Sequence, residues 1–477
     1  MSAARPAGGG ALGVWLRGIV RGLAEIPDEY AAAFRRAPRR TALVTLLLAL
    51  VVVYPFIYRY VFLPRQSALP LPLPDDTVMV FMLIFAALAI GLNIVIGFAG
   101  LLDLGYVAFY ALGAYTAAFL ASPHWHGVSL VLNPDVLPGS PGIHLPFWIV
   151  LWLAAIVAAT FGALLGAPTL RLRGDYLAIV TLGFGEIVPI IFKNLINVDF
   201  ALGPIKLVNA NLTGGPLGIN PIDPPTILGI RFGAISGFNA VYLGMVIVLM
   251  SIVIARNLER SRMGRAWMAI REDEIAAEMM GVNTVRTKLL AFGLGASFAG
   301  FGGALQASYQ GATTSDFFQF STSILVVIMI ILGGMGNIWG VLLGAITVVY
   351  VDKTLLPWIG QRFGDIGRAL DSPELARINP AQFNFLILGL VLVFMMRFRP
   401  EGLIPSTQRR VELHEAPPDQ AIASAAVIAD QAALATVAEQ TAADAATEQA
   451  LEAEAAEAEA PGQETPSQES REAEDQS

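Results

Sequence analysis

The chain has 477 residues, of which 55% are hydrophobic and 14% are charged, and its mean hydropathy is +0.62. Several runs of about twenty residues carry almost no charge, which is the length that a helix needs to cross a hydrocarbon core of ~30 Å. The composition predicts an all-α, polytopic helical membrane bundle with tails rather than a soluble multi-domain protein. The absence of cysteine excludes disulfides, thiolate metal sites and a cysteine nucleophile.

The two ends of the chain differ in composition from its apolar middle. Residues 1–40 carry seven arginines and no cleavable signal, which predicts a basic cytoplasmic leader. Residues 406–477 are predicted to be an acidic, low-complexity cytoplasmic tail, disordered or loosely helical. From Val411 onward this tail holds 16 of the 38 acidic residues and one of the 30 basic residues. We expect a solvated extension, with a regulatory or partner-binding tail as the alternative; residues 41–405 are the predicted transmembrane domain.

Apolar runs between these ends predict about ten transmembrane segments, within a range of eight to eleven, some of them short, broken or re-entrant. The predicted spans are 41–63, 77–97, 99–121, 146–166, 175–197, 239–257, 289–310, 322–335, 338–356 and 383–397. Two glycine-rich stretches, Gly97–Gly105 and Leu332–Gly336, are predicted to be tight turns, re-entrant hairpins or kinks within longer helices. Because Gly and Ala let helices approach closely in lipid, the spans are expected to form one bundle.

The distribution of positive charge predicts the orientation of these spans. With a cytoplasmic N terminus, ten spans place the leader, Arg171–Asp175, Glu259–Lys288 and the chain from Arg397 on one side. Of the 29 basic residues ahead of Val411, 20 fall on that side when Arg256, at the end of its span, is included; eight fall on the other side and Lys193 lies inside a span. We therefore expect a multi-pass protein of the bacterial inner membrane with both termini in the cytoplasm. The opposite side receives long loops rich in Pro, Asn and Gly, which suit docking of a partner outside the membrane.

Sequence motifs for catalysis and metal binding are absent. No lysine follows a glycine, so there is no GxxxxGK[ST] phosphate-binding loop, and any ATP-driven work must come from a partner. His124, His126 and His144 share one predicted extracytoplasmic loop without clustered carboxylates. For His124 and His126, a solvated loop role is favoured over adventitious metal binding. We predict no catalytic residue, no metal, no cofactor and no nucleic-acid partner.

Polar side chains inside the predicted spans are the candidates for a translocation path. A charge in the bilayer is costly unless it is paired or hydrated, so Asp103, Glu186 and Lys193 stand out. Glu186 and Lys193 lie seven residues apart on one helix face. The alternative is that Asp103 and Glu186 lie near helix ends or cap broken helices. The full predicted path set is Asn93, Asp103, Tyr106, Thr181, Glu186, Gln306 and Gln310.

A polar stretch of thirty residues, Glu259–Lys288, interrupts the apolar runs. Its centre, Gly264–Gly281, is predicted to be an amphipathic helix that ends at the glycine. On a helical wheel its apolar stripe consists of Met268, Ile275 and Met279, and its adjoining face consists of Trp267, Arg271, Glu274 and Glu278. A helix lying on lipid is the alternative, but the acidic run Glu272–Glu274 disfavours contact with an anionic leaflet and favours docking of a soluble subunit.

Six segments together resemble one transporter family. They are LNIVIGFAGLLDLGYVAFYALGAY (Leu92–Tyr115), LRLRGDYLAIVTLGFGEIV (Leu170–Val188), LTGGPLGI (Leu212–Ile219), GRAWMAIREDEIAAEMMGVN (Gly264–Asn283), LGGMGNIWG (Leu332–Gly340) and FRPEGLIP (Phe398–Pro405). In order and spacing, from about Thr77 to Pro405, they are similar to the permease subunit of branched-chain amino acid ABC importers, the LivM type. Within them, RGDYLAIVTLGFGEI is a specific signature of that type.

The resemblance implies partners and a coupling site. The implied partners are a homologous second permease, two cytoplasmic ABC ATPases, a periplasmic solute-binding protein and membrane lipid. A short cytoplasmic helix, here Gly264–Gly281, is implied to lie in a groove of an ATPase. The implied coupling residues are Gly264, Trp267, Met268, Arg271, Glu274, Ile275, Ala276, Ala277, Glu278, Met279 and Gly281. Compared with the importer pattern EAAxxxG, Ile275 replaces the leading Glu and no Leu-Pro pair follows.

The function implied by the resemblance is translocation of branched-chain or related amino acids by alternating access, with ATPase closure driving the switch and no covalent chemistry in the permease. Three alternatives stay open. One is an ABC permease for urea, short amides or other amino acids. Another is an ion-coupled secondary transporter that uses Asp103, Glu186 and Lys193. The third is a membrane scaffold whose acidic tail recruits partners.

Overall fold

The computed structural model describes residues 52–62, 72–126, 128–169, 175–196, 198–202, 205–227, 230–234, 237–370, 380–399 and 401–404. The predicted basic leader 1–40 and acidic tail 406–477 lie outside these residues. So does most of the first predicted span, 41–63, within which residues 52–62 are helical.

Beyond that short segment, the described ranges contain twelve α-helices. They are α1 (Asp76–Asn93), α2 (Tyr106–Leu120), α3 (Phe147–Thr169), α4 (Asp175–Asn194), α5 (Gly237–Arg260), α6 (Arg262–Glu272), α7 (Glu274–Met279), α8 (Thr284–Gln310), α9 (Phe320–Gly333), α10 (Ile338–Tyr350), α11 (Leu356–Ala369) and α12 (Asn384–Phe398). A π-helical turn, Val351–Leu355, joins α10 to α11.

The described helices match the predicted membrane bundle. Seven helical stretches are long and apolar enough to cross a membrane, and α2 and α9 are shorter apolar helices. These nine coincide with nine of the ten predicted spans, so the prediction of a helical membrane bundle is confirmed. The prediction of short spans holds as well, since the 14 residues of α9 extend about 21 Å, less than a ~30 Å hydrocarbon core.

Contacts between distant loops group the helix ends into two faces. On one face the Gly97 carbonyl meets Arg271, and the backbone of Leu403 bonds to Leu332. On the opposite face the backbone of Ile219 pairs with that of Thr313. We call the first the inner face, because the charge pattern predicts that it is cytoplasmic, and the second the outer face.

The strands lie in the outer-face loops and were not predicted. They are β1 (Ala121–Ser122), β2 (Ser129–Val131), β3 (Gly142–His144), β4 (Val198–Leu202), β5 (Ile205–Ala210), β6 (Thr226–Ile227) and β7 (Ile230–Arg231). In the first sheet β3 is central, antiparallel to β1 and parallel to β2, and Ala121 faces His144. The other two sheets are the antiparallel pairs β4–β5 and β6–β7. The backbone N–H and C=O groups of a loop need hydrogen-bond partners once the chain has left a helix. These short strand pairs provide those partners outside the bundle.

Helix α8 lies at the centre of the bundle and packs against α1, α2 and α3. Glycines on α8 permit this close packing. A Cβ atom at Gly300 would lie 2.6 Å from the Ala154 carbonyl oxygen, and one at Gly303 would collide with the Tyr110 carbonyl oxygen. Since burial gives helices in lipid little reason to associate, backbone approach of this kind is what holds the bundle together.

Two helix breaks lie side by side on the inner face. Helix α1 ends in a π-helical turn, Ile94–Phe98, followed by Gly100 at φ +70°. Helix α9 ends at Gly333, and Gly334 and Gly336 adopt φ values of 114° and 82° before α10 begins. The stretch Leu332–Gly336 is therefore a tight turn, one of the forms predicted, and its glycines are required because L side chains rarely adopt positive φ.

Candidate functional site

The predicted single helix Gly264–Gly281 is wrong: the stretch contains two helices. Helix α6 starts at a Ser261 cap, whose hydroxyl accepts hydrogen bonds from the backbone of Met263 and Gly264. It ends at Asp273, whose backbone is extended at φ −152° and ψ 110°. The Asp273 carboxylate then accepts from Ile275 N at 2.8 Å and Ala276 N at 3.0 Å to start α7. The Asp273 cap thus divides the stretch into two helices.

This break separates the residues of the predicted apolar stripe. Met268 belongs to α6 and is half-buried, whereas Ile275 and Met279 belong to α7 and are exposed. Met279 and Met280 are 82% and 85% exposed. Val285, at the start of α8, follows them closely in the sequence and is also exposed. We call Ile275, Met279, Met280 and Val285 the inner patch. Glu278 and Ala276 are exposed on the same short helix.

Two predicted coupling residues of α6 are buried. Trp267 has 0% exposure, and its indole Nε1 donates a 2.7 Å hydrogen bond to the Thr287 carbonyl oxygen at the start of α8. A Cβ atom at Gly264 would collide with the carbonyl oxygens of Leu258 and Glu259. These residues therefore attach α6 to the membrane bundle and present no surface to a partner.

The residues of α7 divide between an internal side and an external side. Glu274 forms a 2.6 Å ion pair with Lys288, which is itself buried at the start of α8. Ala277 is buried next to this pair in the helix. Gly281 closes α7 at φ +85° with open space around it, as a glycine stop does. One face of α7 is thus attached to the bundle, while Met279 and the adjacent Met280 are exposed.

Arg271 connects α6 to the break at the end of α1. Its Nη1 donates a 2.6 Å hydrogen bond to the Gly97 carbonyl oxygen. Its aliphatic stem lies against Gly100, where an added Cβ would be 2.8 Å from Arg271 Cγ. Asn93 lies one turn before Gly97, and its Oδ1 accepts a 2.9 Å bond from Gly336 N in the α9–α10 turn. We call these five residues the inner hub.

Placement of Asn93 in the inner hub differs from the predicted path role. Its side chain is fully buried and pins two helix breaks together. Tyr106 is likewise buried, and its hydroxyl donates a 2.9 Å bond to the Gly295 carbonyl oxygen in α8. Both side chains hold helices together in this conformation and do not face an open channel.

Asp103 and Thr181 are the path candidates that the structure brings together. Asp103 is buried, and its Oδ1 accepts a 2.9 Å bond from Gly105 N. Thr181 Oγ1 accepts a 3.1 Å bond from the neighbouring Leu104 N. Both line a crevice of ≈ 10 Å³, together with Phe292 of α8. This volume holds about one water molecule, so no amino acid passes here in the present conformation.

The other path candidates lie apart from this crevice. Gln306 Nε2 donates a 3.2 Å bond to Gln310 Oε1 near the outer end of α8. Glu186 and Lys193 are exposed on α4, a helix whose exposed side also carries Ile187 and Ile190. The predicted path set therefore occupies several separate places and does not form one lining.

A hydrogen-bonded pair of His144 and Asp223 on the outer face was not predicted from the sequence. His144 Nδ1 lies 2.7 Å from Asp223 Oδ2, and the Asp223 backbone donates to the Ala121 carbonyl oxygen. Burial raises the pKa of the Asp223 carboxyl above its usual 3.8, while His144 opposes that rise. His144 is thus a buried side chain that is paired with Asp223. Its partner lies 79 residues away, a separation that leaves no local pattern.

Comparisons with known proteins agree with this architecture. Residues 76–396 match the family described as branched-chain amino acid transport system / permease component. The high-affinity branched-chain amino acid transport system permease proteins LivM of Salmonella typhimurium and of Escherichia coli are each 38% identical over 352 residues, covering 69% of this chain and 70% of each relative. The permease protein LivH of the same system in Escherichia coli is 30% identical over 144 residues, covering 30% of this chain and 40% of LivH.

No solved structure matches the chain. The family match spans the described bundle from the start of α1 into α12, and it includes the inner hub and both helices of the polar loop. The chain is a multi-pass membrane protein that belongs to the family of branched-chain amino acid transport system permease components.

Proposed function

We propose that this chain is the transmembrane permease subunit of an ATP-driven ABC importer that carries branched-chain or related amino acids across the bacterial inner membrane. Family membership and the relatives named LivM support the cargo class. The similarity to LivH supports a second, homologous permease as partner. The inner face is the cytoplasmic face in this proposal, with both termini in the cytoplasm, as the excess of basic residues on that side predicts.

The observation that carries the proposal is the inner patch. Three large apolar side chains of one short turn, Ile275, Met279 and Met280, are more than half exposed in a loop that is otherwise polar. Clustered apolar surface with a polar surround marks an interaction site in a membrane protein's aqueous loop. Methionine adapts to irregular grooves, which suits a helix that enters a groove of another protein. We assign the patch to a cytoplasmic ATPase subunit, two of which serve the permease pair.

The inner hub supplies the connection from this patch to the membrane helices. Motion imposed on α7 is passed to α6 and α8 through the Glu274–Lys288 pair and buried Trp267. Arg271 then passes it to the π-helical turn of α1, and Asn93 to the α9–α10 turn. Non-α turns and positive-φ glycines absorb changes in backbone torsion, so these breaks are the hinges of the proposed switch.

The crevice at Asp103 and Thr181 is too small for an amino acid, which fits one closed state of an alternating-access cycle. A branched-chain amino acid is a zwitterion with an apolar tail, and small residues with a few uncharged polar groups pass it without holding it tightly. The strand-bearing loops of the outer face provide the platform for a periplasmic solute-binding protein, in which most of the selectivity resides. The permease itself carries out no covalent step.

Uptake measured in proteoliposomes tests this function. The chain is co-reconstituted with its second permease, ATPases and binding protein, and radiolabelled leucine is supplied outside. We expect uptake that requires internal ATP and is blocked by vanadate. Uptake that ignores ATP and collapses with the proton gradient would identify a secondary transporter, and loss of all uptake on removal of residues 411–477 alone would favour the scaffold alternative.

A further inference from the structure

A cavity of ≈ 560 Å³ opens on the inner face between the end of α5, the start of α6 and the start of α10. Three arginines and one carboxylate line it: Arg256, Arg260, Arg265 and Glu259. Its apolar lining comprises Ile252, Met268, Ile338 and Trp339. The proposed transport function leaves these arginines without a role.

The charge of the lining suits an anion. Three arginines and one glutamate line the cavity, so its lining carries a net positive charge even with Glu259 ionised. Each guanidinium presents five N–H donors and matches a phosphate bidentately. Arg265 is held in place by a 3.1 Å bond from its Nη1 to the Arg260 carbonyl oxygen. Several arginines that line one cavity are a common means of binding a phosphate.

The start of α10 adds to this positive potential. The Asn337 side chain caps the helix by accepting from Trp339 N at 3.0 Å, and Asn337 and Trp339 both line the cavity. The positive end of the dipole of a 13-residue helix is therefore directed at the same space as the arginines. The helix start belongs to α10, whereas the arginines belong to α5 and α6. Both features favour binding of a negative charge.

The level of the cavity in the membrane identifies the source of the anion. Arg256 and Arg260 occupy the last turns of one membrane helix, and Ile338 begins another. The cavity therefore lies where two membrane helices end, which is the depth of the lipid headgroups. Trp339 is 46% exposed there, and tryptophan at a helix end is typical of the membrane–water interface. Basic pockets at this level attract anionic headgroups.

We propose that this cavity binds the headgroup phosphate of an anionic phospholipid from the inner-face leaflet. The arginines bind the phosphate, while Ile252, Ile338 and Trp339 contact the glycerol and the first acyl carbons. A lipid in this position joins α5 and α10 to α6, so it supports the loop that carries the inner patch. The binding site itself does not depend on what the protein transports.

Titration of the full-length chain in phosphatidylcholine nanodiscs with phosphatidylglycerol, read by native mass spectrometry, tests the proposal. The variant Arg256→Gln/Arg265→Gln removes two charges from the cavity, and Arg286→Gln removes an exposed inner-face arginine outside it. Each arginine near an anionic headgroup contributes about fivefold in affinity, so we expect roughly 25-fold weaker binding for the double variant. Arg286→Gln binds as the unaltered chain does. If the double variant does not fold, Arg256→Gln alone is expected to weaken binding about fivefold.

Four outcomes would overturn the assignment. The first is equal phosphatidylglycerol affinity in the unaltered chain and the double variant, and the second is an unchanged affinity in Arg256→Gln where only that variant folds. The third is thermal stabilisation by inorganic phosphate, in pure phosphatidylcholine nanodiscs, that is as large as the stabilisation by phosphatidylglycerol. This result would identify a soluble anion as the ligand. The fourth is a rise in lipid affinity on removing residues 411–477 as large as the fall in the double variant, which would identify the acidic tail as the occupant. Unchanged affinity after that removal supports the lipid.

Discussion

The Arg271 guanidinium donates a 2.6 Å hydrogen bond to the carbonyl oxygen of Gly97, 174 residues earlier in the chain. One end of this contact is in the polar loop that carries the inner patch, and the other is in the π-helical turn that ends α1. A charged donor on a backbone carbonyl makes a strong hydrogen bond. The contact therefore ties the site proposed to receive the ATPase directly to a membrane helix.

Replacement of Arg271 by Gln is expected to uncouple transport from ATP hydrolysis. A hydrogen bond from a charged donor contributes about 1.5–3 kcal/mol, and its loss from the transmission step lowers leucine uptake roughly tenfold or more. ATPase co-purification is retained, because the inner patch is unchanged. The exposed Arg262 on the same helix supplies the control, and Arg262→Gln transports normally. Full uptake by Arg271→Gln would remove the hub from the mechanism.

Alanine substitutions at Gly100 and Gly281 distinguish the effect of backbone strain from the effect of contact with Arg271. Both adopt positive φ, which costs a non-glycine residue roughly 1–2 kcal/mol. Only at Gly100 would an added Cβ also press on Arg271, since the space around Gly281 is open. We expect Gly100→Ala to lower the melting temperature more than Gly281→Ala and to reduce uptake as Arg271→Gln does. Equal losses at the two sites would show that the Arg271 contact contributes nothing.

The ion pair between Glu274 and Lys288 is predicted to be internal to the permease. Glu274→Lys places a second positive charge against the buried Lys288 and lowers the melting temperature of the isolated permease. The double exchange Glu274→Lys/Lys288→Glu restores opposite charges, and we expect it to recover part of that loss. Exposed Glu278 is the matched control, since Glu278→Lys leaves the melting temperature unchanged. Absence of any recovery in the exchange would contradict the pairing.

The buried pair on the outer face makes stability depend on pH. Because burial raises the pKa of Asp223 above 3.8, the folded chain binds this proton more tightly than the unfolded chain. The contribution of Asp223 to stability therefore falls as pH rises from its unfolded pKa through its folded pKa. Asp223→Asn abolishes that contribution. Plots of melting temperature against pH for the two proteins therefore differ in slope between the unfolded and folded pKa values of Asp223. Parallel pH profiles would contradict the burial of this carboxyl.

Much of the bundle could be predicted because its causes are local. Apolar runs of membrane length mark the spans, and glycines that need positive φ mark the turn at Leu332–Gly336. The break at Asp273 also has a local cause, an aspartate cap, but the helical periodicity on either side conceals it. The position of the polar loop outside the lipid was likewise predictable, since its charge excludes it from the hydrocarbon core.

The remaining features of the site depend on the assembled fold. Trp267 has the amphipathic spacing of a surface residue, yet it is fully buried and donates a hydrogen bond to the start of α8. Asn93 and Gly336 meet across 243 residues, and no sequence pattern links them. A polar residue in a span can equally pin two helices or line a path, and only its hydrogen-bond partners distinguish these roles. The path therefore could not be deduced from residue type and depth.

Site-specific crosslinking gives the most direct test of the inner patch, because the chain contains no cysteine and each introduced thiol is unique. Met279→Cys is joined to its neighbours in membranes that contain the ATPases, using a short thiol-to-amine crosslinker. Exposed Leu217 on the outer face provides the control as Leu217→Cys. We expect an adduct of permease and ATPase for Met279→Cys alone. No adduct at Met279, or an equal adduct at Leu217, would contradict docking of the ATPase on α7.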